Sequence, residues 1–501
     1  MNLFAIGVGG TGAKCIEALT HLQACGLIQD ADGTPVTLGT FMVEPDEQSA
    51  LLTRAKMAIE RYTNMRRAVG NGTQAFSRGP LEDYGTWSPL SNSPGKRTLE
   101  LVFPKAGLQT GASGLAGLFD CLFPPDEQQA DLKVGFRGRP PIGATVMSQI
   151  NLADVAQTGQ WSRMLSAIQS AAGSGGQTVI HLFGSIFGGT GASGVPTLGQ
   201  LLKKWLASNK LTSVRVHATL MLPYFDFNDG SNSTTGVHAQ VRNFQLNTSA
   251  ALQYLGSNGS SCFDSVYLIG SDIKPSYDFC IGGPDQNNDA HLVELLGALA
   301  CRSSLKLPQP NGYAFSISRS SRDALEWQDL PEHGTVGKGL ATGARFAVAW
   351  LNNFSKEIDA AQKVRMATFV SGAPWARRFF SITGKAASTS GERPAIRDSK
   401  ELTTRDAIDA YCEVLLQWLQ QLSANPGRGF DQELFATNNL ARNAKPINSL
   451  GGIVLGKARP NIPRSADTVE RIKIRMDRLS RKRIRIYGVA GLADSLWQLS
   501  I

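Results

Sequence analysis

Short apolar runs alternate with glycine turns and amphipathic stretches along the first half of the chain. Asn2–Val8 is apolar and runs straight into GVGGTGAK, after which Cys15, Ile16, Ala18, Leu19 and Leu22 share one helical face. Thr37–Val43 reads as a second strand ending in the acidic segment EPDEQSALL. Beyond Thr53 the pattern is mixed as far as Thr110, and TWSPLSNSPGK reads as an exposed, turn-rich insertion. An amphipathic helix is expected over Trp161–Ala172. A buried strand over Thr178–Ile186 then feeds FGGTGASGVPTLGQLLKKWL, and further strands follow at Arg215–Leu222 and Ser265–Ile269. Repeated strand, loop and helix units predict an α/β fold with a doubly wound parallel sheet.

The second half reads differently. HLVELLGALACRSSL predicts a long helix over His291–Leu305, and Thr404–Leu422 predicts one that buries Ala407, Ile408, Tyr411, Leu415, Trp418 and Leu419. GKAASTSGERPAIRDSK has the composition of a linker. The expected organisation is a sheet domain over 1–285, a central helix over 286–310, a smaller α+β domain over 311–385, and a linker, helix and basic extension over 386–501.

Composition narrows the class. With 42% hydrophobic and 18% charged residues among 501, wholesale disorder is excluded. No run approaches the ~20 apolar residues of a membrane span, and MNLFAIGVGG lacks a basic n-region, so no secretory signal and a cytoplasmic location are expected. Seven scattered cysteines without a CxxC pair read as reduced thiols, and six histidines without HExxH spacing give no zinc site. The net charge of +9 concentrates in RIKIRMDRLSRKRIR, Arg471–Arg485. That segment is either an electrostatic footprint for DNA or a protein partner, or a solvated basic helix and strand with Ile472, Met476 and Ile484 on its apolar side.

Two glycine turns carry the chemistry, because glycine lets backbone N–H groups approach phosphate oxygens and the following helix adds its N-terminal partial charge. Gly7, Gly9 and Gly12 match GxGxxG, with Glu44 or Asp46 as the acid a dinucleotide fold would need. That pattern alone would suit an NAD-binding Rossmann oxidoreductase. It leaves the second turn, Gly188-Gly189-Thr190-Gly191-Ala192-Ser193-Gly194, unexplained, and no His, Tyr or Lys constellation for hydride transfer accompanies it. The Walker spacing GxxxxGK[ST] is absent.

In order along the chain, these segments resemble the tubulin/FtsZ superfamily. IGVGGTGAK resembles its first nucleotide loop, VEPDEQSALL its acidic segment near the phosphates and metal, and GRPPIGA (Gly138–Ala144) the loop that senses the terminal phosphate. FGGTGASGVP resembles the GGGTGTGAAP-type signature loop, LPYFDF the segment leading to the ribose, and FDSVYLIGSD the strand toward the base pocket. The resemblance covers about the first 300 residues. Phe187, Ser193 and Lys14 depart from the family pattern, Lys14 standing where Asn or Gln is usual.

The resemblance implies a divergent bacterial tubulin-like GTPase that binds GTP or GDP with Mg²⁺, forms filaments, and hydrolyses GTP at head-to-tail contacts between its own subunits. It assigns nucleotide contacts to Gly9, Gly10, Thr11, Gly12, Lys14, Glu44, Asp46, Gly138, Pro141, Gly143, Gly188, Gly189, Thr190, Gly191, Ala192 and Ser193, with Asp46 facing the metal. Asn287 and Asn288 stand where an amide would read the base, although PDQNND is also ordinary turn chemistry. The acid supplied to the neighbouring subunit falls in SRDALEWQDLPEHG, at Asp329 or Glu332 ahead of Asp323 and Glu326. Asp329 could equally cap a turn before Pro331, Lys14 could be a first-turn surface residue, and His291 and Trp327 read as packing residues. The alternative within the same fold is a GTP-binding scaffold with little hydrolysis.

Overall fold

A computed structural model of the chain describes every residue except 74, 92–94, 96, 104–106, 108–114, 156–158, 229–238, 279, 281, 307–323, 384–391, 423–431 and 457–460. Its centre is a six-stranded sheet. The strands are β1 (Asn2–Val8), β2 (Thr37–Val43), β3 (Leu81–Trp87), β4 (Thr178–Ser185), β5 (Arg215–Met221) and, after a short β6 (Asp226–Asn228), β7 (Ser265–Ile269). Their order is β3-β2-β1-β4-β5-β7, and every pairing is parallel. β6 pairs separately with β8 (Ser276–Asp278). In the central strands side chains on both faces are buried, which is why Asn2–Val8 and Thr178–Ser185 read as continuous apolar runs without alternation.

Helices cover both faces. On one side lie α1 (Gly9–Ala24) and α2 (Ala50–Val69), which share a core through Ile16, Leu19, Leu52 and Ile59. On the other lie α3 (Pro140–Met147), α4 (Gly159–Gly173) and α5 (Gly189–Ser208), packed through Ile142, Ile168, Val195 and Leu202. The long α6 (Val241–Cys262) lies against α5. The central helix, α7 (Leu292–Ser304), rests on α1 and β5. Its N-terminus is closed by a capping box between His291 and Glu294.

The second half departs from expectation. Among the described residues from 324 onward, extended pairing is limited to isolated bridges. In place of the smaller α+β domain and separate extension stand α8 (His333–Ala349), which runs on through a π-helical turn at Trp350–Phe354, then α9 (Ser399–Gln421), where a helix was expected over Thr404–Leu422, α10 (Val469–Asp477) and α11 (Gly488–Ser500). These helices bury their apolar faces in the same core as α1 and α2. His21 Nδ1 meets the Tyr411 hydroxyl at 3.2 Å, and Asp494 accepts from the Ala75 and Phe76 amides at 2.8 and 2.9 Å. The physical reason is that the outward side of α1 is apolar as well as its sheet side: nearly every residue of α1 is buried, so a second helical layer must cover it.

Three smaller expectations are corrected. Trp87 and Leu90 of the supposed exposed insertion are buried. The basic segment forms α10 and a 3₁₀ turn at Arg481–Arg483 with no strand, and Val469, Ile472 and Met476 seat it on the core. The mixed pattern after Thr53 conceals α2 and β3. Among the described residues no helix is long and apolar enough to cross a membrane.

Candidate functional site

The strand order reverses direction at β1 and β4, and the carboxyl ends of those two strands open a crevice between them. Both glycine turns lie there. Gly9 has φ +76°, and a methyl group on it would meet Thr190 Cβ at 3.2 Å and the Gly191 amide nitrogen at 3.3 Å, so the two turns touch. A methyl group on Gly12 would lie 2.7 Å from the Phe183 carbonyl oxygen, and one on Gly191 would lie 2.5 Å from that of Ser185. These positions exclude side chains because two strands and two helix starts converge on them. α1 and α5 begin at the turns, with no acidic residue in the first turn and no capping side-chain hydrogen bond. Their first N–H groups and positive dipole ends therefore face the crevice unneutralised, as an anion requires.

A third wall comes from residues 134–138. The Phe136 side chain and main chain lie about 3 Å from where a Gly189 methyl would stand. The Asn247 amide donates to the carbonyls of Gly138 at 3.2 Å and Phe187 at 2.9 Å, tying this wall to the second turn.

Acidic groups form the floor at the end of β2. Asp46 accepts from the Gly283 amide at 2.7 Å and from the Gln48 amide at 3.1 Å. Glu44 accepts from the Asp46 amide at 3.1 Å. Burial pushes the Glu44 carboxyl up to about 8. Among the described residues no cluster of three His, Cys, Asp or Glu side chains could hold a metal by itself. The donor set fits a magnesium ion that keeps water and ligand oxygens in its shell, with Asp46 as its protein contact, and does not fit an all-protein metal cage.

The far end is aromatic. Phe187, Phe225 and Phe244 pack with ring centroids 4.7 to 6.1 Å apart, and Tyr224, Phe227 and Tyr277 extend the cluster. Asp278, Cys280, Gln286 and Asn288 add polar groups to the lining. Here Lys14, only 3% exposed, pairs with Glu294, and its ammonium stands 5.8 Å from the Tyr224 ring centroid. Tyr224 donates to Glu294 at 2.5 Å, and the same carboxylate accepts from the His291 amide at 2.8 Å. The crevice thus suits an elongated ligand with an anionic end at the glycine turns and a planar, partly polar end among the rings.

Of the residues singled out from sequence, Gly9, Gly10, Thr11, Lys14, Glu44, Asp46, Gly138, Gly188, Gly189, Thr190, Gly191 and Asn288 line this crevice. Gly12, Pro141, Gly143, Ala192, Ser193 and Asn287 do not. The Ser193 hydroxyl donates back to the Gly189 carbonyl at 2.8 Å, and Gly143 is the space into which Ser193 packs. Asn287 is exposed, while the Asn288 carbonyl accepts from Arg54 at 2.9 Å, Arg54 itself pairing with buried Glu17 at 2.8 Å. Asp329 lies in a 3₁₀ turn and accepts from the Glu326 amide at 2.8 Å, which is the turn-capping role. Glu332 pairs with Arg302 and, at 2.9 Å, with Lys306, contacts that hold its carboxyl below the usual range against partial desolvation. Sequence reasoning missed Phe136, Arg137, Phe244, Tyr277, Asp278, Cys280 and Gln286. Arg137 stands immediately before the GRPPIGA segment. The aromatic residues carry no local signal, because only the fold brings them to one end of the crevice.

Neither a protein-family model nor a curated protein sequence matches the chain. Among solved structures it is similar to CetZ1 from Haloferax volcanii, a GDP-bound monomer, at 14% identity over 54% of this chain and 52% of that one, with a TM-score of 0.27. It is also similar to CetZ from Methanosaeta thermophila strain DSM 6194, at 12% identity over 54% of this chain and 46% of that one, with a TM-score of 0.22. The chain spans about half the length of each.

Proposed function

We propose that this chain binds GTP or GDP with Mg²⁺ as a tubulin/FtsZ-type protein, assembles head to tail into filaments, and hydrolyses GTP where subunits meet. The observation that carries the reading is the contact between the glycine turns after β1 and β4, through Gly9 and Thr190. A dinucleotide-binding oxidoreductase needs only the first of these turns and an unencumbered acid for the ribose. Here Glu44 is buried, which pushes its carboxyl up, and Asp46 holds Gly283. In a head-to-tail polymer the open crevice of one subunit is completed by the next, a heterologous contact that leads to open assemblies. The exposed basic residues Arg471, Arg475, Arg478, Lys482, Arg483 and Arg485 give the same protein a surface for an acidic protein or DNA partner.

A second reading, a GTP-binding scaffold with little turnover, is favoured by one observation. The two leading acids expected to position the attacking water across the contact are engaged within their own subunit, Asp329 as a turn cap and Glu332 between Arg302 and Lys306, while Asp323 lies outside the described residues. The deciding experiment is pelleting and negative-stain microscopy with GTP, GDP, a non-hydrolysable GTP analogue, ATP and NAD, with phosphate release followed in parallel. Filaments with the analogue, and phosphate release rising steeply with protein concentration, support the filament GTPase. GTP binding without filaments or turnover supports the scaffold. Binding of NAD beside no affinity for GTP overturns both.

A further inference from the structure

We propose that α10 and the turn after it form a docking face for an anionic lipid bilayer, in which the arginines meet headgroup phosphates and Ile474 enters the acyl boundary. Such a partner is of a different class from an acidic protein or DNA and needs nothing of the nucleotide crevice.

The seating of α10 is the first support. Val469, Ile472 and Met476 are buried, so the helix lies along the surface of the core with its opposite side outward. Arg471, Arg475 and Arg478 follow one another at helical spacing, which sets them in one row on the outward side. Lys482, Arg483 and Arg485 are exposed in the stretch that follows. Against these six exposed cations, Glu470 is the single exposed acid among the described residues of 469–485. Asp477 accepts from Arg377 Nε and Nη2 at 3.0 and 2.9 Å, so its charge is cancelled by the neighbouring short helix Ala376–Phe379, and Lys473 pairs with Glu357.

Exposed aliphatic side chains among these cations are the second support. Ile474 is 43% exposed; it stands three residues after Arg471 and four before Arg478, and so lies beside both on the outward side. A single exposed isoleucine is common on a mixed surface, but this one crowns a basic row, the composition of an interfacial helix. Ile382, 50% exposed, follows the short helix that carries Arg377 and Arg378, and that helix packs on α10. The isoleucines decide between anionic partners. The phosphates of duplex DNA take up arginines but offer nothing to an aliphatic side chain. A protein interface wants a contiguous apolar centre inside a polar rim, whereas here the isoleucines stand singly among cations. A bilayer accepts each one separately: arginine stems lie along it with their guanidinium groups at the headgroups, and aliphatic tips pass below them.

The test is flotation of the full chain, without nucleotide, with vesicles of phosphatidylcholine alone and of phosphatidylcholine mixed equally with phosphatidylglycerol. Wild type should float with the mixed vesicles and not with the neutral ones. Ile474→Ser should weaken that binding roughly tenfold. The triple variant Arg471→Gln, Arg478→Gln, Lys482→Gln should weaken it on the order of a hundredfold. All four side chains are exposed, so both variants should keep the wild-type melting temperature. A random-sequence DNA duplex and polyglutamate serve as competitors. Failure of wild type to float with the mixed vesicles, flotation that either variant leaves unchanged, or stronger binding to the duplex or to polyglutamate overturns the assignment. Each of these outcomes leaves the nucleotide reading in place, because no nucleotide enters the experiment.

Discussion

Removing the Lys14 ammonium tests whether the base end of the crevice is held together by a buried ion pair. Lys14 and Glu294 have side-chain exposures of 3% and 2%, and they join α1 to α7 across the sheet face. Lys14→Met leaves Glu294 charged and buried. Breaking such a pair from one side costs about 3–5 kcal/mol. Glu294 keeps two donors, the Tyr224 hydroxyl at 2.5 Å and the His291 amide at 2.8 Å, so its charge is not left bare. We therefore expect the lower end, about 3 kcal/mol, which is a large share of the roughly 5–15 kcal/mol that holds a domain folded. Glu294→Gln strands the ammonium and should cost a similar amount. The double variant buries neither charge and should cost about as much as one single variant, giving a coupling of about 3 kcal/mol. Urea unfolding followed by tryptophan fluorescence, without nucleotide, measures all three against wild type, with unchanged denaturant slopes as the check on two-state behaviour. If the single effects add to within about 0.5 kcal/mol, the two groups are not paired in solution. Lys14 would then be available to a ligand, and its placement against Glu294 would be refuted.

The remaining predictions address acid stability, the glycine contacts and the tail. Burial lowers His21 and His291 to about 3, below the ordinary 6.5, so their neutral forms belong to the folded state. As pH falls below about 6.5 the unfolded chain takes up those protons first, and each histidine removes ~1.4 kcal/mol of stability per pH unit until its folded value is reached. Between pH 6 and pH 5, His21→Gln should lose about 1 kcal/mol less stability than wild type, and identical losses would contradict the burial of a neutral ring. Gly12→Ala places a methyl 2.7 Å from the Phe183 carbonyl oxygen and should leave the chain insoluble, whereas at Gly173 nothing lies within 4 Å. Gly173→Ala should therefore be neutral or stabilising by up to about 1 kcal/mol, read from thermal melts. Ending the chain at Arg464 removes α10 and α11, whose Val469, Ile472, Met476, Leu492, Leu496 and Trp497 are core residues. At ~1.5–3 kcal/mol per buried apolar side chain, the six named residues alone match the whole stability of a typical fold, so the truncated chain should not fold. A soluble truncated chain with wild-type melting would show the tail to be an appendage.

Local patterns made much of the sheet legible. Asn2–Val8, Thr37–Val43 and Ser265–Ile269 are strands with the expected bounds, and α7 lies within one residue of its expected ends. α2 escaped notice because eleven of its twenty positions are partly or fully exposed and its charged residues interrupt the apolar face. β3 escaped because an edge strand needs no continuous apolar run. Of the helices beyond 324, α9 was legible over Thr404–Leu422, and only the uncovered apolar side of α1 explains why these helices pack where they do.

What the sequence determined by itself is the alternation of strand, glycine turn and helix that makes both turns possible, because backbone freedom at glycine and the period of apolar side chains act over a few residues. Tertiary structure alone decided that Gly9 meets Thr190, that Asp46 holds Gly283, that Lys14 is paired with Glu294, and that Arg137 stands in the crevice wall. Partners such as Lys14 and Glu294 lie far apart along the chain. Whether a charge binds a ligand, a neighbour or water depends on what the fold brings within a few ångströms of it and on how much water the fold removes.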